Sequence, residues 1–442
     1  MHINYFTERP VRWLEEEDVL THRAFFGLPN SKYDHVRASE DYNYYLDEYM
    51  EAERLGFDGV ALNEHHGNPF CMGNVMHLEA SILARITERV KIFLIGTPLP
   101  VTKNPLRTAE ELATIDVISR GRLVTGWVRG GGSEQFFNNA NPAYNREMFE
   151  EAHDFIQQAW TRPGPWRYEG KHFHYRHVNP WALPYQKPSP LSVVPGVLSP
   201  ETVRWAADKA YPYIALGTSL GPTADLWDTY ADLAAEAGYQ AGSENYGYVI
   251  PTFVADTEEK AQEGGYGFVF GGGQGAFAKP EHTLPPGYNS KAANQRLAAT
   301  PGGSWLGINR DKLMAASQRT PTAAPLDVDV VRGKLRASLQ RSQDNLQHLI
   351  GTPDQVAEKM KTIIRVLRPG IFTVFHVQGA VSDEARRRSM QLLGEQVLPE
   401  VRAYADELGI ASPFDRAPGS VRLRTGEQRS AVVDRGGLPV AA

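Results

Sequence analysis

The chain has 442 residues, 42% of them hydrophobic and 22% charged, with a formal net charge of -6. That length suits two domains or one large α/β barrel with insertions, and the mild acidity gives no electrostatic reason to expect nucleic acid or an anionic membrane as partner. A single cysteine, Cys71, excludes an intrachain disulfide and a cysteine-based metal cluster, and no apolar run approaches the length of a transmembrane helix.

The N-terminus, Met1-His2-Ile3-Asn4-Tyr5-Phe6, has no basic segment leading into an apolar core. It reads as a first strand over Ile3 to Phe6, not as a signal peptide, which makes the cytoplasm the expected compartment. Residues 7 to 41 are polar and irregular, too long for a simple connection, and are expected to form an excursion on the active-site face. Asp41 is placed to cap a helix from Tyr42 to Leu55 that Gly56 ends. The apolar run Gly56 to Leu62 has the length of a buried strand. It stops at Asn63-Glu64-His65-His66, after which Gly67, Asn68 and Pro69 turn the chain away.

A helix over Asn74 to Glu88 follows, with apolar positions at Val75, Leu78, Ile82 and Ile86. Lys91 to Thr97 is the next strand. Asn104-Pro105, a capping residue followed by proline in the first turn, opens a helix that runs to Gly121. Arg122 to Val128 is a strand ending in Arg129-Gly130-Gly131-Gly132. A helix spans Asn145 to Trp160, and Trp166 to Tyr175 alternates around a glycine turn as a hairpin outside the main sheet. Leu191 to Val194 is a strand, and Ser199-Pro200-Glu201-Thr202 begins another helix. A strand (Tyr213 to Leu216), a helix (Thr223 to Ala237) and a strand (Tyr246 to Phe253) come next. Residues 264 to 325 are rich in Gly, Pro, Asn and Ser and are expected to form a lid or binding excursion. Helical pattern returns from Val330 to Ile350 and again after Thr352-Pro353. Ile371 to Val377 is the last strand, Ser382 to Leu408 the final helix, and residues 413 to 442 a loosely held tail.

Eight apolar strands alternating with helices predict a single (β/α)8 TIM-type barrel, with insertions after the first and seventh strands, spanning residues 1 to 412. No early strand ends in the Gly-x-Gly-x-x-Gly turn of a doubly wound dinucleotide fold. Ionisable groups at strand ends are then the places to look for chemistry. Glu64, His65 and His66 can serve catalysis or merely bond neighbouring loops. Arg129 can meet a ligand, with glycines beside it allowing close backbone approach, or pair with a loop acid. Ser199 and Thr202 at a helix start can add hydroxyl donors to an anion site, although Glu201 argues against a bare anion there. No metal site is expected, because adjacent histidines on an extended strand face opposite ways and no further ligand set follows. Cys71 has no activating context. The glycine cluster at 264 to 275 lacks the Gly-Lys-Ser/Thr ending of a phosphate loop.

Taken together, Leu62-Asn63-Glu64-His65-His66, Gly96-Thr97, Asn104 to Glu111 and Ile115 to Leu123 resemble the bacterial luciferase-like, flavin-dependent monooxygenases. Arg129-Gly130, Ser199 to Ala207, Gly351 to Ala357 and Glu395 to Glu400 extend the resemblance over the barrel, excluding 7 to 41, 264 to 325 and the tail. The resemblance implies a barrel that binds FMN as FMNH2, supplied by a separate NAD(P)H:flavin reductase, and activates O2 as a flavin C4a-(hydro)peroxide to oxygenate a small organic substrate. His65 matches the family's active-site histidine, and Arg129, Arg146, Ser199 and Thr202 match its phosphate-binding positions. Asn63 and Thr97 are further cofactor-binding expectations, Thr97 lying in Gly96-Thr97-Pro98 where the family places flavin-contacting backbone, often with a non-prolyl cis peptide. Such a phosphate site departs from the usual barrel location after the seventh and eighth strands. A homodimer is expected. Two rival readings stay open: deazaflavin-dependent hydride transfer without oxygen, and a flavin-binding subunit that has lost catalysis.

Overall fold

In the computed structural model, which describes residues 1–15, 18, 28–197, 199–268, 328–377, 379 and 381–438, the eight apolar segments become eight parallel strands in chain order. These are β1 (His2–Phe6), β2 (Gly59–Leu62), β3 (Lys91–Leu94), β4 (Leu123–Val128), β5 (Leu191–Gly196), β6 (Tyr213–Leu216), β7 (Tyr246–Val254) and β8 (Ile371–His376). Each pairs with the next, and β8 pairs with β1 to close the ring. The hairpin Trp166–Glu169 and His174–Val178 forms its own two-stranded sheet, as its alternation predicts.

Strand alternation sorts the core into two layers. Phe6, Ala61, Phe93, Val124, Val193, Ile214, Val249 and Phe375 fill the barrel interior. Their neighbours Tyr5, Val60, Ile92, Leu123, Val194, Tyr213 and Val374 pack outward against the helices. Each large side chain buried this way contributes about 1.5–3 kcal/mol. Trp127 and Tyr213 belong to the outer layer, whereas Phe6, Phe253 and Phe375, near the ends of β1, β7 and β8, face inward.

The helices correct several boundaries. The first, α1 (His35–Arg54), starts about two turns before the predicted position. Asp34 is its cap, accepting from the N–H groups of Val36 and Arg37. Asp41 lies inside the helix, buried, and pairs with Arg12 at 2.6 Å. In α2 (Met76–Ile86) the barrel-facing residues are Met76, Ala80, Leu83 and Ala84. Val75, Leu78, Ile82 and Ile86 are 58%, 62%, 39% and 38% exposed. Both faces of this helix are apolar, and the small alanines permit the closer approach to the barrel. Asn104 caps α3 (Pro105–Ile118) as expected, accepting from the Arg107 N–H. A short helix that the glycines concealed, α4 (Gly132–Phe137), follows β4.

Farther on lie α5 (Asn145–Thr161), α6 (Pro200–Asp208), α7 (Leu220–Glu236) and α8 (Glu258–Gly265). The helix predicted to reach Ile350 is α9 (Val328–Asp344), because Leu349–Gly351 pairs with β7 as a strand. A Thr352–Gln355 capping box opens α10 (Pro353–Leu367). The predicted final helix is α11 (Asp383–Leu392) and α12 (Leu398–Glu407), joined by a π-helical turn over Leu393–Val397. Pro399 explains the turn, since its ring lacks an N–H and would clash with a regular preceding turn.

Most of the excursion at 264 to 325 lies outside the described residues. The tail runs along α7, with Arg429 pairing with Asp228 and Asp232, and Arg435 with Asp225 and Asp228. Among the described residues, no helix is long and apolar enough to cross a membrane.

Candidate active site

Strand β2 ends at Leu62, so the alternation that would separate two adjacent histidines no longer applies at residues 65 and 66. Both rings turn to one carboxylate, Glu134 of α4. His65 Nδ1 lies 2.9 Å from Glu134 Oε1, and His66 Nε2 lies 3.9 Å from its other oxygen. Glu134 is buried, its side chain 2% exposed, whereas that of His65 is 31% exposed. His66 also meets Glu64 at 3.3 Å, and Glu64 in turn accepts from the Met76 N–H at the start of α2. Gly67, at φ 66°, makes the turn beyond, with the Phe137 ring where a Cβ would stand. Burial disfavours a charged His65. The hydrogen bond and charge of Glu134, with Glu8 behind, outweigh that and raise its pKa. For His66 the hydrogen bond to Glu64 is the leading cause of a raised pKa.

The residue after Glu134 connects this pair to a basic cradle. Gln135, fully buried, donates to the Arg129 carbonyl at 3.1 Å and accepts from Asn145 at 3.5 Å. Arg129 Nη1 donates to Asn145 Oδ1 at 3.3 Å. Beside Asn145, Arg146 donates to the hydroxyls of Thr202, at 3.0 Å, and Ser199, at 3.4 Å. Burial, then the like charge of Arg129, lowers the Arg146 pKa. Its buried Nη1 has no hydrogen-bond partner and lies 3.7 Å from Glu150. Two guanidinium groups, two hydroxyls and the first turn of α6 therefore converge, a donor set suited to a phosphate dianion. Glu201 accepts from Ser199 at 3.1 Å, turned into the helix start's own network.

At the end of β3 the peptide Ile95-Gly96 is cis. Next to it, buried Thr97 shares a 3.2 Å hydrogen bond with His77 Nε2, whose Nδ1 lies 2.9 Å from Glu111. Asn63 is buried, and its side-chain oxygen accepts from Cys71 at 3.6 Å while its carbonyl accepts from Arg9 at 2.7 Å. Arg9 also pairs with Glu79 at 2.8 Å and donates to Tyr49, tying β1 to α1, β2 and α2. Burial pushes the Cys71 thiol up to about 12, which keeps it unreactive. Among the described residues, no group of three His, Cys, Asp or Glu side chains is placed to hold a metal.

Of the residues singled out from the sequence, the structure gathers Arg129, Arg146, Ser199 and Thr202 in the cradle. His65 joins them through consecutive residues of α4. Thr97 stands on the neighbouring strand end, and Asn63 faces Cys71. Missed were Glu134, Gln135, Asn145 and His77. A signal for the first existed in Gly131-Gly132-Ser133-Glu134, a glycine-led helix start with an acid in its first turn.

A family model described as luciferase-like monooxygenase matches residues 23–367. The alkanal monooxygenase alpha chain of Photobacterium leiognathi is 27% identical over 217 residues, 48% of this chain and 59% of that protein. The match thus spans less than two thirds of that relative. Among solved structures, the monooxygenase RslO1 of Streptomyces bottropensis superposes with TM-score 0.61 at 20% identity, covering 90% of this chain and 99% of the other. The oxygenating constituent of 3,6-diketocamphane monooxygenase from Pseudomonas putida, solved with FMN, gives 0.59 at 17% identity, covering 91% and 98%. At those identities the likeness establishes the fold.

Proposed function

The chain belongs to the luciferase-like monooxygenase family, and from that premise we propose that it uses reduced FMN and O2 to oxygenate a small organic substrate. One observation supports this reading above the others: α4 joins a histidine–carboxylate pair to a two-arginine cradle through Glu134 and Gln135. Bound there, reduced flavin would supply the two electrons that activate O2, one atom of which goes to the substrate and the other to water. Arg129, Arg146, Ser199 and Thr202 would hold its phosphate, with Thr97 and Asn63 lining the approach. His65, its pKa raised by the hydrogen bond and charge of Glu134 against the cost of burial, would hold or move the proton that the transfer requires.

The flavin would arrive reduced from a separate NAD(P)H:flavin reductase. An aldehyde, a ketone or a larger secondary metabolite all fit the proposed chemistry. The exposed apolar face of α2, with Val75, Leu78, Ile82 and Ile86, supports pairing with a second copy of the chain.

The test is an anaerobic titration with FMNH2, followed by rapid mixing with O2. Saturable binding and a flavin oxidation slower than that of free FMNH2 are expected. Absence of binding would overturn the reading, and activity with a deazaflavin under argon would replace it by hydride transfer. Binding without product from any candidate substrate, unchanged in His65→Ala, would mark a flavin-binding subunit.

A further inference from the structure

Glu134 stands out among the buried groups because none of the stretches that carry the family resemblance includes it. Its side chain is 2% exposed, yet among the described residues the carboxylate forms no ion pair with an arginine or lysine and instead faces two imidazoles. Ionising a carboxylate in such a place is costly unless a cation or strong donor answers it. The group that answers it is His65 Nδ1 at 2.9 Å, close to the distance expected of a charge-assisted bond.

We propose that Glu134 is the positioning residue for His65, fixing its ring with the Nδ1 proton on the carboxylate side so that Nε2 alone exchanges a proton with the reaction. This rests on the reading of His65 as the residue that acts beside the flavin. Geometry carries it: Glu134 holds Nδ1, the His65 carbonyl accepts from Asn74 at 2.9 Å, and the ring has no freedom to flip without breaking the Glu134 bond. The groups facing His65 are Glu134 from α4, Glu8 and Arg9 from the segment after β1, and His66 from its own segment, itself paired with Glu64. Arg9 is already paired with Glu79, so the carboxylates prevail and favour the imidazolium. The Oε2 atom of Glu134 accepts no hydrogen bond, which leaves the carboxylate's charge concentrated on the histidine pair.

Histidine-labelled protein without cofactor gives a readout separate from oxygenation. The His65 NMR resonances should titrate with a midpoint above that of free histidine and report the Nδ1–H tautomer once neutral. Glu134→Gln should move that midpoint to lower pH and mix the tautomers, and Glu134→Asp should recover part of the shift. In FMNH2-dependent turnover, Glu134→Gln should lower kcat on the order of tenfold to a hundredfold and displace its pH profile, with the flavin dissociation constant nearly unchanged. A wild-type midpoint below that of free histidine overturns the proposal, and so does a folded Glu134→Gln variant with an unmoved midpoint. The wild-type measurement decides even if the variant does not fold. Loss of flavin binding alone would instead strike the monooxygenase reading and leave the His65 titration standing.

Discussion

Arg146 donates to the Thr202 hydroxyl at 3.0 Å, so the first turn of α5 and the first turn of α6 meet over a half-buried cation. A guanidinium with a second guanidinium near it, Arg129, is a costly arrangement in a protein that binds no anion there.

Removing either arginine should therefore weaken FMN binding selectively. A charge-assisted bond to phosphate contributes about 1.5–3 kcal/mol, or roughly tenfold to more than a hundredfold in dissociation constant. Arg129→Ala should show that loss for FMNH2 while riboflavin, without the phosphate, binds wild type and variant equally. Arg129→Lys should recover only part, since an ammonium keeps the charge and loses the planar fork. Equal losses for riboflavin would mean that Arg129 shapes the barrel mouth instead.

The α2 face makes a second prediction. Leu78, 62% exposed, and Ile82, 39% exposed, lie one turn apart on a helix whose other side packs on the barrel. Leu78→Glu and Ile82→Glu should convert a dimer to a monomer in sedimentation experiments without lowering the thermal midpoint of the monomer. Wild type sedimenting as a monomer at micromolar concentration would dismiss the dimer.

Low pH should destabilise the protein through its buried histidines. His376 is held neutral beside Tyr5, 2.9 Å away, and burial, then the charge of Arg386, lowers its pKa to about 3. Burial likewise brings His2 and His348 down to about 4. Below about 6.5 the unfolded chain binds protons that these folded sites refuse, so stability is full above that pH and falls towards 4. Each group contributes a loss of about 1.4 kcal/mol per pH unit in that window. Urea unfolding at pH 7 and pH 5 measures it, and His376→Gln, which still offers Tyr5 an acceptor, should flatten the difference. An unchanged slope would show that His376 titrates normally in the folded state.

Gly126 on β4 tests the barrel wall beside Thr97. A Cβ there would stand 1.8 Å from the Leu94 carbonyl oxygen, which is backbone and cannot swing aside. Gly126→Ala should cost more than about 3 kcal/mol or fail to fold. Gly221→Ala, with nothing within 4 Å of the added Cβ, should stay within about 1 kcal/mol of wild type in the same denaturation assay.

How much of this was legible beforehand follows from which interactions are local. The eight strands, their order and most helix starts could be read directly, because continuous apolar runs, Asn104-Pro105 and Thr352-Pro353 act within a few residues of themselves. His65, Arg129, Ser199 and Thr202 were marked by their places in motifs along the chain, and Arg146 by the family resemblance alone. Their mutual arrangement was not, because Glu134 meets His65 across 69 positions and Arg146 meets Thr202 across 56. The side of α2 that faces the barrel was likewise undecided, since Leu78 and Leu83 are equally apolar and only the fit of Ala80 and Ala84 against the strands chooses between them. Local chemistry determined which elements form; closure of the barrel decided which charges are buried together, because only a closed ring brings the ends of β2, β4 and β5 to one rim.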